Sequence, residues 1–88
     1  MAEGPLPLCG FVEGDSMGVL VFAAIDMPLA EVARRLLTSA SVRIEPGSPE
    51  DWELHVAERA VPMGTAETET VGDAHLAALD RIDLRRRA

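Results

Sequence analysis

Lysine is missing from the 88 residues, so every fixed cation is an arginine: Arg34, Arg35, Arg43, Arg59, Arg81, Arg85, Arg86 and Arg87. Even with these, basic residues number 8 against 15 acidic ones, for a net charge of −7. That balance repels a phosphate backbone, so no nucleic-acid partner is expected, and Arg85-Arg86-Arg87 reads as a solvated strand end rather than a binding patch. Cysteine occurs once, at Cys9. No intramolecular disulfide can form, and nothing points to an oxidising compartment. A long hydrophobic run is lacking too: the longest, from Met17 to Ile25, is about half of the roughly 20 residues a membrane-spanning helix needs. The opening Met1-Ala2-Glu3-Gly4-Pro5 has neither the basic start nor the apolar stretch of a secretory leader. A cytoplasmic protein with no membrane partner is the expectation.

The length suits one domain, with a core burying roughly two thirds of the unfolded surface. It divides into a flexible start at 1–5 and a single domain at 6–88. Within the domain, Leu6 to Val12 reads as a strand, its prolines at the beginning where a strand tolerates them. Leu6, Leu8 and Gly10 share one face, and Pro7, Cys9 and Phe11 the other. Both faces are apolar, as in a central strand. Glu13-Gly14-Asp15-Ser16 supplies turn residues, and 18–25 returns as the second arm of a hairpin.

The period then changes. Leu29, Val32, Ala33, Leu36 and Leu37 fall at i, i+3, i+4, i+7 and i+8, one face of a helix that ends near Ser39. Pro28 suits its first turn and Asp26 its positive end. Beyond it, 41–45 alternates as a strand with Val42 and Ile44 inward. At 49–58 two readings compete. Alternation of Trp52, Leu54 and Val56 favours a strand, whereas Ser48-Pro49-Glu50-Asp51 has the residues of a helix start. Residues 58–70 read as a polar loop holding a short strand at 60–63. A turn ending near Leu79 leads into a last strand at 81–86 with Ile82 and Leu84 inward.

The chemistry-bearing motifs are weak. Gly14-Asp15-Ser16-Met17-Gly18 matches G-x-S-x-G, but a nucleophile elbow needs a strand-to-helix turn on a large sheet, and here the string joins two strands. Cys9, His55 and His75 lack the paired spacing of a zinc site. Glu50 with Asp51, and Glu67 with Glu69, stand in polar loops without the shielded pocket that acid–base work requires. No catalytic, cofactor-binding or metal residue is assigned, and no enzyme activity or cofactor is expected.

The run Val19-Leu20-Val21-Phe22-Ala23-Ala24-Ile25 is more informative. A half-solvated edge strand should alternate with polar residues. If Val19, Val21 and Ile25, or else the alternate set, face the helix, the other set is left outward; on the first assignment Leu20, Phe22 and Ala24 are the candidate partner interface. A loop from 58–70 folding over them is the intramolecular alternative.

Hairpin, helix, strand, strand, short turn and final strand is the order of the β-grasp fold. Thr70-Val71-Gly72-Asp73 with Leu76, then Ile82-x-Leu84 and a terminal arginine, resembles the end of ubiquitin. The resemblance implies an α+β, ubiquitin-like class with a mixed sheet of four to five strands packed on one main helix. It also implies a final strand parallel to the first, Val71 and Leu76 in the core, and Asp73 as a turn stabiliser.

From Leu6 to about Arg86 the chain is similar to the small B, or gamma, subunit of toluene-type multicomponent di-iron monooxygenases. The similarity rests on the proline-containing first strand, Phe11-Val12-Glu13-Gly14-Asp15, the valine-rich second strand, the Asp26 to Val32-Ala33 helix and the Thr70 to Leu84 ending. That family implies a non-catalytic subunit docked on the large hydroxylase subunit, contributing no iron ligand. Two rivals share the element order. One is a stand-alone interaction module, such as an oxygenase effector or a secretion-system domain. The other is a sulfur- or protein-transfer carrier, which acts through a Gly-Gly tail where this chain has Arg86-Arg87-Ala88.

Overall fold

The computed structural model describes residues 5–87. The expected flexible start at 1–5 therefore falls, Pro5 apart, outside them. The elements run β1 (Leu6–Val12), β2 (Val19–Ala23), α1 (Leu29–Ala40), β3 (Trp52–Val56), β4 (Arg59–Val61), α2 (Met63–Ala66) and β5 (Arg81–Arg86). One mixed sheet has the order β2-β1-β5-β3-β4. Neighbours are antiparallel except β1 and β5, which run parallel as the resemblance implied. The class is α+β.

Helix α1 lies across one side of the sheet and buries Leu29, Ala30, Val32, Ala33, Leu36, Leu37 and Ala40. Opposite them the sheet supplies Leu8, Val12, Val21, Ala23, Trp52, Leu54, Val56, Val61, Ile82 and Leu84. Pro28 stands one place before the first helical residue, where its carbonyl accepts from the Glu31 and Val32 N–H groups. On the exposed face Glu31 pairs with Arg34 at 3.0 Å and with Arg35 at 3.5 Å.

The strand expected at 41–45 does not form. The helix end consumes its backbone donors instead, since the Arg43 and Ile44 N–H groups both bond the Ala40 carbonyl. Arg43 is also drawn to Asp15 in a two-pronged pair at 2.8 Å. Val42 is left 80% exposed, not inward, while Ile44 does pack against the core.

At 49–58 both signals are used in succession. Pro49–Asp51 makes one 3-10 turn, with the Asp51 carboxylate accepting the Ser48 N–H at 3.0 Å. The strand then begins at Trp52, where the edge of β5 pairs with it from Trp52↔Arg86 to Val56↔Ile82. The short strand placed at 60–63 is shifted to Arg59–Val61, and Met63–Ala66 turns helical.

The stretch 69–72 runs back along 25–29. Val71 donates to the Met27 carbonyl and Gly72 to that of Ile25, and Leu29 donates to Glu69. Val71 is fully buried and Leu76 packs at the core margin. Asp73 accepts the Thr70 N–H at 3.1 Å, and its own N–H donates to Thr70 Oγ1 at 3.0 Å, so it does brace this turn.

Candidate functional site

Hydrogen-bond direction decides what β2 shows to its surroundings. In β1, the Cys9 N–H and the Pro7 carbonyl point toward the β5 side, bonding Asp80 and Leu79. Alternation then turns the backbones of Leu6, Leu8 and Gly10 toward β2, opposite Ala23, Val21 and Val19. The backbones of Leu20 and Phe22 face away from the sheet at its edge, and their side chains lie on the side opposite α1.

On that outer side the register forms rows. Phe22 stands beside Pro7; Leu20 beside Cys9 and then Arg81; Phe11 beside Asp83 and then His55; Arg85 beside Glu53. The β2–β1 half is apolar and the β5–β3 half is charged. Leu20 is 53% exposed and Phe22 52%. Ala24 is exposed too, but it lies past the end of β2, in the turn whose Met27 N–H bonds the Ala24 carbonyl. The strand stops at Ala23, so Ile25 leaves the alternation and is 53% exposed rather than packed under the helix. The 58–70 stretch does not cover this half: it carries β4 and α2 and then docks on 25–29.

Three details were not legible from residue pattern. The Arg81 guanidinium sits over the Phe11 ring at 4.2 Å, while its Nε is held by both Asp83 oxygens at 3.0 and 3.1 Å. Gly18 leaves room on another side of that ring, since a Cβ there would lie 2.8 Å from Phe11 Cε1. At the β2 edge, Arg35 donates to the Phe22 carbonyl at 3.4 Å. The Arg35–Phe22 and Arg81–Phe11 contacts join α1 to β2 and β5 to β1, and neither has a local sequence signature.

The remaining sequence candidates are scattered. The G-x-S-x-G string is the β1–β2 turn, with Gly14 at φ +92° and Ser16 exposed. Its Asp15 accepts the Met17 N–H at 3.1 Å, and the Arg43 guanidinium holds its carboxyl below the usual aspartate range. Cys9 is on β1, His55 on β3 and His75 in the turn before β5, so the three do not converge. His55 Nε2 meets Glu53 at 2.9 Å. Glu69 is paired with Arg59 at 2.6 Å and Glu67 with Arg34 at 3.6 Å. Among the described residues no group of three or more His, Cys, Asp or Glu could hold a metal ion. Nor is any described helix long and apolar enough to cross a membrane.

No protein-family model matches this sequence. The search of curated proteins found no matching relative. Solved structures do match over nearly the whole of this chain. Ubiquitin from Caldiarchaeum subterraneum aligns with a TM-score of 0.75 at 17% identity, covering 97% of this chain and 96% of that one. The fold is a ubiquitin-like β-grasp. A chain from the toluene 4 monooxygenase HD complex with the inhibitor 4-bromobenzoate gives 0.77 at 16% identity, covering 94% and 99%. The ubiquitin-like domain of yeast Ddi1 gives 0.74 at 12%, covering 100% and 95%. At these identities the likeness carries the ubiquitin-like fold alone. In that frame the outer side of β1 and β2 is the part of the sheet whose apolar residues neither the helix nor a loop covers.

Proposed function

We propose that this ubiquitin-like chain is a non-catalytic subunit of a bacterial multicomponent di-iron monooxygenase of the aromatic- or alkene-hydroxylating type. It docks on the large hydroxylase subunit, works in the cytoplasm in aromatic hydrocarbon catabolism, and has no active site of its own. The observation that carries the reading is the pair Leu20 and Phe22, both half exposed on an edge strand. With Ala24 they form the proposed interface. Large apolar side chains left uncovered on an edge strand are an aggregation hazard that a partner removes. The full-length likeness to a chain of the toluene 4 monooxygenase complex supports the choice of partner.

Likeness at the same coverage to ubiquitin and to the Ddi1 domain favours a second reading, an interaction module that acts alone. Size-exclusion chromatography with light scattering separates the two. The chain is run alone and after co-expression with the large oxygenase subunit encoded beside it. The subunit reading expects self-association alone and a stoichiometric complex on co-expression. A monomer that ignores the large subunit would leave the stand-alone module.

A further inference from the structure

We infer that docking is face-on: the outer side of the sheet, from Leu20 and Phe22 across Pro7, Cys9 and Phe11 to Arg81, packs on an apolar surface of the hydroxylase that presents a carboxylate to Arg81. This rests on the subunit reading above and commits it to one surface and one mode.

The alternative mode, addition of a partner strand to β2, meets an obstacle. Strand addition needs the outward backbone groups of Leu20 and Phe22. The Phe22 carbonyl already accepts from Arg35, which Glu31 steadies at 3.5 Å. A charged side chain laid over an edge is how sheets refuse further strands. Arg81 lies over Phe11 on the outer side, but Leu20 and Phe22 there remain about half exposed.

Size pushes the surface beyond β2. Two strands of five residues present a flat footprint of about 17 by 10 Å, or roughly 170 Å². A standard interface takes about 800 Å² from each partner. Leu20 and Phe22 can only be its centre, and the apolar surface continues next door: β1 contributes Pro7, Cys9 and Phe11, all half-buried. Leu79 extends it at one end. Its N–H bonds the Pro7 carbonyl, and it is 61% exposed on a left-handed backbone with φ +68°.

Charge identifies the occupant. On the outer side Arg81 and Arg85 stand among the carboxylates of Glu53 and Asp83, with Glu13, Glu58 and Asp80 lining the flanking clefts, so this side shares in the acidic balance of the chain. An ordered pair of copies would bring two charges of −7 together, so the stoichiometric cover is a different protein, and the chain by itself associates only loosely through its apolar side. Arg81 stands where the apolar and charged halves meet, with its side chain 64% exposed. Phe11 and Asp83 fix the guanidinium through its face and its Nε. Its terminal amino groups make no hydrogen bond among the described residues. A guanidinium held this way is pre-ordered for a carboxylate.

Cys9, the only thiol in the chain, lies in the row between Leu20 and Arg81 and reports on this face without mutation. The co-purified complex and the freshly diluted free chain are treated with N-ethylmaleimide, and the Cys9 peptide is quantified by mass spectrometry. Alkylation should be at least tenfold slower in the complex. Arg81→Glu should weaken assembly at least tenfold, and Arg35→Ala should leave it unchanged. If Arg81→Glu does not fold, Arg81→Gln replaces it, and the Cys9 rate requires no variant. An intact complex in which Cys9 reacts at the free rate overturns the face while leaving the subunit reading in place. Sensitivity to Arg35→Ala but not to the Arg81 variant points to the edge and overturns face-on docking. Failure to form any complex overturns both readings.

Discussion

Gly10 sits in the middle of β1 on the side turned to α1, directly beneath Leu36. A Cβ added there would overlap the Leu36 Cδ2 methyl and lie 3.1 Å from both Cδ1 and Cγ. Leu36 is fully buried, so it has no solvent side into which to swing. Forcing an extra methyl into a packed core costs about 1–3 kcal/mol, offset by the roughly 0.5–1 kcal/mol gained when alanine replaces glycine within a strand. From the middle of each range, Gly10→Ala should therefore destabilise by about 1.3 kcal/mol, and in a domain this small each 1 kcal/mol lowers Tm by about 4–8 °C. Leu36→Ala alone should cost about 2–5 kcal/mol through the cavity it opens. In the double variant the new methyl occupies part of that cavity, so the combined loss falls short of the sum by about 1 kcal/mol or more. Urea unfolding followed by fluorescence of Trp52, the only tryptophan and 1% exposed, reads all four members of the cycle. Losses that add within about 0.5 kcal/mol, or a neutral Gly10→Ala, would refute the idea that glycine is there to admit the helix.

Ala57 and Glu58 join β3 to β4 at φ 51° and 67°, the positive-φ pairing of a type I′ turn built from residues that resist it. Ala57→Asn with Glu58→Gly should raise stability by about 1–2 kcal/mol; an unchanged or lower denaturation midpoint would contradict this. Asp15 has its carboxyl lowered from the ordinary 3.8 by Arg43, so the folded chain takes up that proton less readily than the unfolded one. Its contribution is whole above 3.8 and fades as pH falls below that value toward the lowered one. Asp15→Asn should thus melt below the wild type at pH 7, with the gap closing in acid, and a gap constant from neutral to strongly acid pH would refute the assignment. Val42→Thr should change stability by less than about 0.5 kcal/mol, while Val56→Thr, which buries a hydroxyl, should cost about 1–3 kcal/mol by the same unfolding assay. Equal effects would mean that 41–45 is a strand after all.

Legibility followed the range of the forces involved. The periodicity of α1 and the alternation of β3 and β5 are local consequences of burial, so the residues declare them. Segment 41–45 alternates just as well, but its partners are the end of α1 and the distant Asp15, and these pull its donors and Arg43 out of any ladder. The β3–β4 turn lacks glycine or asparagine, so pairing across Val56↔Arg59 rather than turn preference must impose its shape. Of the candidate interface, the apolar run shows by itself that one set of β2 side chains is left outward; that the set is Leu20 and Phe22 follows from the register with β1 and the burial of Val21 and Ala23. The continuation through Phe11 to Arg81 was not, because it depends on the parallel β1–β5 register. Ile25 was misplaced because nothing in the run marks Ala23 as the last residue of β2.

The most direct test of partner burial uses one substitution and two readings that must move oppositely. Phe22→Asp is purified alone and, separately, co-expressed with the large hydroxylase subunit, with Tm measured to establish that it folds. The account predicts a chain that is more soluble by itself than the wild type and absent from the complex. A folded Phe22→Asp chain that still co-purifies in full stoichiometry would contradict it.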